Sequence, residues 1–517
     1  MRLAAIVLAA SLSFATPLLF AATTGAQVQW RNAAADADIE QAFAQGRAEN
    51  KPVLLYWGAA WCPPCNQLKA TLFNRQDFIE RSRAFVAVNI DGDLPGAQKL
   101  GARFKVRGYP TLILATPEGT ELTRLPGEVD AAQVMQVLQI GLARGRPVAA
   151  VLADARAGKP LKPDEWKLLA FYSWDTDEAQ LVSAVERPGL LAQLAVACPA
   201  SQPEVADRLL LKALAGSDDG KGMKADAATV ARVRKLLANP AAARTHMDVV
   251  TNFASEITKT LVNDPGKPRT DLVAAFDAAL RKLQADATLS RADRFTALMA
   301  RVDLARLELP KNERHPKLAA ALVAEVRDSS AQADREITDG YERQAVITAA
   351  AHTLGLAGLW SDSDALLQAN LAKSHSPYYL MSQLGGNARK LGRTDDALRW
   401  HEQAFNTSVG PATRLEWGAR YITTLVELSP QDAPRIERAA ATLFSEAAAQ
   451  PNVFYERSAR SLKRVGTQLK AWNKGPEQAA VVKRLQAQMD GVCAKLDAKD
   501  PQRAACEGVL KGSSAPA

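Results

Sequence analysis

The chain has 517 residues, with 64 Lys and Arg against 56 Asp and Glu and a formal net charge of +8. That length is too great for one core, so two or three domains are expected, and 47% hydrophobic with 23% charged residues is ordinary for a globular protein. The cations are spread among the acids with no basic block interleaved with aromatics, which argues against a nucleic-acid partner and against a membrane-surface role.

In chain order, Met1 and Arg2 supply a positive start, Leu3 to Phe20 is mostly apolar, and small residues continue to Ala26. Residues 1–26 read as a secretory signal peptide, with cleavage after Ala22 or after Ala26. An uncleaved anchor is disfavoured by Pro17 inside the run and by its shortness for a span. No cysteine lies near the cleavage region, so lipid anchoring is unsupported. No later segment approaches the roughly 18 apolar residues of a membrane helix. The expectation is a protein soluble after signal removal and exported to the periplasm, where disulfides form.

Residues 27–146 alternate helical and strand patterns, the signature of an α/β layer structure. Asp36 to Asn50 has helical spacing, with Ile39, Ala42 and Phe43 on one side. Pro52 to Gly58 is a short apolar run that reads as a buried strand, and Asn66 to Phe73 reads as a helix. Ala84 to Ile90 is a second strand, Asp91 to Gly96 a loop and Ala97 to Phe104 a short helix. Thr111 to Ala115 and Glu121 to Leu125 form a hairpin turning at Pro117-Glu118-Gly119, and Asp130 to Ala143 closes the segment as an amphipathic helix.

From residue 147 strand signals vanish. Helical segments alternate with breaks at Pro160 to Pro163, Pro199 to Pro203, Gly216 to Gly222 and Asp264 to Pro268. Residues 147–340 show no defensible period. In 341–517, the spacing of Ala365, Ala369 and Ala372 recurs one unit further on as Ala397, His401 and Ala404, and Pro377 recurs as Pro411. Leu384, Gly385 and Ala388 occupy the preceding helix and Gly392 the turn. This stretch resembles tetratricopeptide repeats, well over residues 341–411 and loosely over 412–451, where Ala440, Phe444 and Ala447 keep the spacing. An irregular helical bundle with Ala-rich contacts is the alternative.

The chemistry concentrates at Trp61-Cys62-Pro63-Pro64-Cys65. Across one helical turn the two sulfurs reach bonding distance with little backbone movement. Placed between strand and helix, Cys62 meets free N–H groups and the positive end of the dipole, which favour a thiolate. Pro63 suits the first helical position, Pro64 stiffens the loop, and Trp61 offers an apolar flank for a partner peptide. The rival readings are half of a zinc site and a static disulfide. Zinc needs further Cys or His at suitable spacing, and neither Cys198, Cys493 and Cys506 nor any of His246, His315, His352, His375 and His401 supplies it. No metal and no cofactor are expected.

Downstream, Arg107-Gly108-Tyr109-Pro110-Thr111 leads into the hairpin, and a proline there fits a cis peptide. Together, Trp-Cys-x-x-Cys after a strand and Gly-Tyr-Pro-Thr at 108–111 resemble the thioredoxin fold across about residues 36–144. The run Lys51 to Cys62 is most similar to exported thioredoxin-like domains, such as the C-terminal domain of the thiol:disulfide interchange protein. The fold expected is thus an α/β thioredoxin domain followed by a large all-α, tetratricopeptide-like region.

The resemblance implies that Cys62 is the nucleophile, Cys65 the resolving cysteine and Pro110 a cis-proline facing the disulfide and holding the partner's backbone, with Trp61 and Tyr109 touching the substrate. It implies a thiol:disulfide oxidoreductase whose partners are protein thiols or disulfides, with a membrane electron donor among them. Pro64 is shared with reducing members, which favours a reductase or electron relay. Two positions depart from thioredoxin. Tyr56 stands where it has a buried aspartate, and Ala87 where it has the partnering lysine. Glu49 and Asp91 are replacement carboxylates in principle but read better as solvated surface charges.

Cys493 and Cys506 flank Asp500-Pro501 and either staple a helical hairpin or stay as two buried thiols. Cys198 has no activating charge among its neighbours and reads as a buried apolar residue. The main alternative function is a chaperone-like or scaffold protein that binds partners through its helices, the cysteine pair being secondary.

Overall fold

The computed structural model describes residues 27–511 other than 126–130, 144, 175, 178–179 and 218–220, so the expected signal peptide lies outside the described residues. A five-stranded sheet of order β1-β3-β2-β4-β5 is built from β1 (Arg31–Ala33), β2 (Val53–Gly58), β3 (Val86–Asp91), β4 (Thr111–Ala115) and β5 (Glu121–Leu125). β2 is central, parallel to β3 and antiparallel to β4, and all six of its residues are buried. Covered on both faces, it carries large, mainly apolar side chains at five successive positions, Val53 to Trp57, rather than at alternate ones.

Around the sheet lie α1 (Asp36–Glu49), α2 (Pro63–Ala70), α3 (Gln76–Arg81), α4 (Pro95–Arg103) and α5 (Ala131–Leu142). Val53, Leu55 and Trp57 face the Ile39, Ala42 and Phe43 stripe of α1. Leu54 and Tyr56 face the other way, into a core shared with Leu68, Phe78, Val134 and Leu138. That core continues through Trp166, Leu169 and Trp174 to Leu209, so the sheet and the first helices after residue 147 bury one another.

The structure differs from the sequence expectation in a few elements. α2 starts at Pro63 and ends at Ala70 rather than running from Asn66 to Phe73, because two prolines fill its first positions, where no N–H is needed. β1 and α3 carried no legible pattern: β1 has three residues and exists by pairing with β3, Arg31 opposite Val88. The second strand begins at Val86, after a short turn of helix at Ser82–Ala84.

After Leu125 every regular element among the described residues is helical. Pro377 and Pro411 each open a helix, Pro377–Lys390 and Pro411–Leu428. Gly385 lies against the His401 ring, where an added Cβ would come within 2.8 Å. Cys493 and Cys506 are disulfide-bonded with Cα atoms 5.7 Å apart, and Cys198 is a buried free thiol that burial pushes up.

His246 and His401 are buried in the helical region. Burial, reinforced by Arg208, pulls His246 down to about 4, and burial with Arg420 and Arg389 pulls His401 down to about 3. A neutral buried imidazole contributes stability that is complete above the unfolded value near 6.5. That contribution is lost as pH falls, because only the unfolded chain takes up the proton. By pH 5 the loss approaches about 2 kcal/mol per histidine. Denaturant titrations at pH 7.5 and 5 should therefore show a smaller acid loss for His401→Gln than for the wild type. Equal losses would refute the assignment.

Candidate redox-active site

The β2 strand delivers Ala59 to Trp61 to the N-terminus of α2, where Cys62 is the capping residue. Cys62 and Cys65 are joined by a disulfide, with Cα atoms 5.3 Å apart. The Cys62 sulfur also accepts the Cys65 N–H at 3.3 Å. Buried Asn66 donates to the carbonyls of Ala60 and Cys62, both at 2.8 Å, which ties the loop to the helix. The exposed amides of a helix start stabilise negative charge on a capping sulfur once the disulfide is reduced.

Trp57 pairs with Thr111, so the start of β4 lies at the cysteine end of β2. The Tyr109–Pro110 peptide just before it is cis. Tyr109 packs on the cluster of Ala59, Cys62 and Cys65, and its hydroxyl donates to the Gly92 carbonyl at 3.1 Å. Gly92 must be glycine here, since a Cβ would lie 2.3 Å from the Tyr109 ring.

The helical region closes over this end of the sheet. Trp61 donates its indole N–H to the Thr413 hydroxyl at 2.8 Å and accepts the Gln344 amide on its carbonyl at 3.2 Å. Its ring stacks on Tyr379 at 5.9 Å and meets Trp417 edge-on at 5.2 Å. On α2, Gln67 donates to Asp293 at 2.7 Å, and the Lys69 ammonium sits 5.3 Å from the Tyr341 ring centre. These partners lie toward the N-terminal ends of the helices Arg291–Ala305, Gly340–Leu356, Pro377–Lys390 and Pro411–Leu428. The result leaves Cys62 2% and Cys65 0% exposed.

One of these helix starts, that of Pro411–Leu428, and a further one, that of Glu456–Trp472, are capped from the α/β domain. The Asp93 carboxylate accepts the Thr413 N–H at 2.6 Å and its carbonyl accepts the Ala412 N–H at 3.2 Å. Gln98 accepts the Arg457 and Ser458 N–H groups at 3.0 and 3.4 Å, at the start of Glu456–Trp472. Orphan helix amides are thus satisfied in trans. Gly410, at φ 99°, gives Asp93 the necessary approach, for any Cβ there would overlap the carboxylate.

Arg457 joins the two parts. Its guanidinium lies 4.8 Å from the Trp61 ring and 5.8 Å from the Tyr109 ring, donates to Glu416 at 2.6 Å and Thr413 at 2.8 Å, and has Asp93 at 3.7 Å. Burial works against its charge, and Glu416, Tyr109 and Asp93 outweigh that, leaving it above its ordinary value. Burial likewise pushes the Asp93 carboxyl up, against the pull of Arg457 and Thr413.

Proton handling at the inner cysteine has no buried acid on β2. Tyr56 is 2% exposed, packed on Trp30 and Phe73, and its hydroxyl has no partner. Burial, with Asp91 and Tyr341 adding, pushes its phenol well up, so it stays protonated. Ala87 is buried opposite Leu54. Glu49 pairs with Lys51 before β2 begins, at the sheet end remote from the cysteines. Asp91 is exposed but lies opposite Gly58, at the cysteine end. Lys69 is drawn down by burial, with Asp91 opposing.

Cys62, Cys65, Pro110, Trp61 and Tyr109 therefore sit at one end of the sheet. The structure places Trp61 and Tyr109 under the chain's own helices rather than on an open flank. Sequence reasoning missed Asp93, Gln98, Thr413, Glu416, Trp417 and Arg457. No motif marks them, since each gains its place only by contact between parts remote in the chain, as in the Trp61–Thr413 bond with a sequence separation of 352.

The sheet order and the cysteine pair at a strand-to-helix turn, with a cis-proline at the next strand, define a thioredoxin-like domain. The family described as the thioredoxin-like domain matches residues 39–141. Similarity extends to thiol:disulfide interchange protein DsbD 1 of Pseudomonas aeruginosa, 28% identical over 127 residues, which is 24% of this chain and 22% of that protein. Thiol:disulfide interchange protein DsbD of Pseudomonas fluorescens is 32% identical over 104 residues, 19% of this chain and 18% of that protein. The chain thus spans about a fifth of the length of the curated relatives it matches. Among the described residues no helix is long and apolar enough to cross a membrane.

Proposed function

We propose that the protein is an exported thiol–disulfide oxidoreductase that exchanges disulfides with protein partners through Cys62 and Cys65, as a reductase or electron relay. The observation that carries this reading is the closed Cys62–Cys65 disulfide at the N-terminus of α2, in one cluster with Tyr109 beside the cis-proline. In the reduced protein the Cys62 thiolate attacks a partner disulfide and forms a mixed disulfide, expelling one partner thiolate, which takes up a proton. Cys65 loses its proton, attacks the Cys62 sulfur and releases the second partner thiol. Two electrons pass to the partner and the Cys62–Cys65 disulfide is restored. A protein dithiol, supplied by a membrane electron donor or another carrier, reduces it again. Pro110 holds the partner backbone, and Trp61 and Tyr109 flank it once the helical cover moves aside. The helical region, read as tetratricopeptide-like units opening at Pro377 and Pro411, selects the partner.

A second reading, a scaffold with a locked disulfide, is favoured by one observation, the near-complete burial of both cysteines. The reduction potential separates the two. A value below about −300 mV, where disulfides resist exchange, would support the scaffold, and a higher one the oxidoreductase. Insulin reduction equal in the wild type and Cys62→Ser would overturn the enzymatic reading.

A further inference from the structure

A cleft of about 560 Å³ opens in the helical region and shares no residue with the cysteine site. That volume lies within the range of ligand pockets. Arg314, Arg389, Lys390, Arg420 and Arg464 line it, and no carboxylate does. Arg389 is neutralised by Glu427 at 2.6 Å, and the Lys390 ammonium stands 5.5 Å from the Trp360 ring centre. Among the described residues, Arg314, Lys390, Arg420 and Arg464 have no carboxylate partner. Like charges gathered within a Debye length of about 10 Å repel one another. Packing does not require them, for all five side chains belong to exposed residues. An anion would relieve the repulsion, and planar guanidinium groups fit carboxylates in paired hydrogen bonds.

A second, smaller cleft adjoins the first, sharing Gly386, Lys390 and Arg420 with it. Its lining includes Ser382 and Gln383, whose Oγ and Oε1 atoms are buried and unpartnered. The Gln383 amide nitrogen donates to the Thr348 carbonyl at 3.1 Å, which fixes the side chain and leaves Oε1 as an acceptor. Cations next to unfilled acceptors match a ligand that carries both carboxylates and N–H donors. A phosphate ion carries no N–H.

We infer that these joined clefts bind an acidic segment of a polypeptide in extended form. The inference names a partner surface for the helical region and stands whether or not the cysteine pair turns over. It is tested on the full chain by fluorescence anisotropy with a short labelled peptide rich in Asp and Glu, at low and at physiological salt. The wild type should bind it, and the Arg420→Gln/Arg464→Gln double variant should bind about tenfold or more weakly. Insulin reduction should be unchanged in that variant, and its melting temperature should be no lower than that of the wild type, because both side chains are exposed and two mutually repelling charges are removed. A control peptide with Gln and Asn in place of the acids should not bind. Equal affinity for wild type and double variant would overturn the inference. So would full displacement of the peptide by inorganic phosphate, which would mark a small-anion site, or tighter binding of a single-stranded oligonucleotide.

Discussion

Cys65→Ser, once reduced, is expected to accumulate as a mixed disulfide with its protein partners through Cys62, while Cys62→Ser should form none and should lower insulin reduction to the uncatalysed level. The difference follows from position. Cys62 caps α2 and its sulfur already accepts a helix N–H, whereas Cys65 lies inside the helix and is fully buried. The capping sulfur has the amides and dipole that hold a thiolate, and it is the thiolate that attacks. Without Cys65 nothing resolves the first bond, so the adduct persists and its partner can be identified by mass spectrometry. Adducts through Cys65 in Cys62→Ser at the same yield would reverse the assigned roles.

Arg457→Ala should have the second large effect, because that guanidinium touches Trp61, Tyr109, Thr413 and Glu416 together. Removing one partner of a buried ion pair costs several kcal/mol, since it strands the other charges away from water. Here Glu416 keeps some solvent contact, which places the cost near the lower end, about 3 kcal/mol. If that loss falls on the cover rather than on the whole fold, opening becomes about 100-fold more frequent. Reduced Cys62 should then be alkylated faster by a similar factor, with circular dichroism showing the helices intact. Arg457→Lys, which keeps the charge but not the planar fork, should fall between. Alkylation at the wild-type rate in Arg457→Ala would show that these contacts do not limit access to the sulfur.

Much of the α/β domain was legible in the sequence. The apolar runs at 53–58 and 111–115 became β2 and β4 as read, because a strand covered on both faces needs apolar residues at every position. The helix over Asp36–Glu49 was readable from its stripe of Ile39, Ala42 and Phe43. β1 was not, because so short a strand carries no period and its stability comes from β3. In the helical region the breaks at proline and glycine were readable, while the faces that meet the sheet were not. Helical periodicity says which side is buried and not what buries it.

From the chain alone follow the reactive pair at a strand-to-helix turn and the turn at Tyr109–Pro110, because both depend on residue types at short, fixed spacing. Only the tertiary structure decided that Trp61 lies beneath Tyr379, Trp417 and Arg457, and that Asp93 and Gln98 cap helices from the far end of the chain. Those contacts join groups that are ordinary in their local sequence. They matter because a buried donor or charge must find its partner wherever the fold brings one.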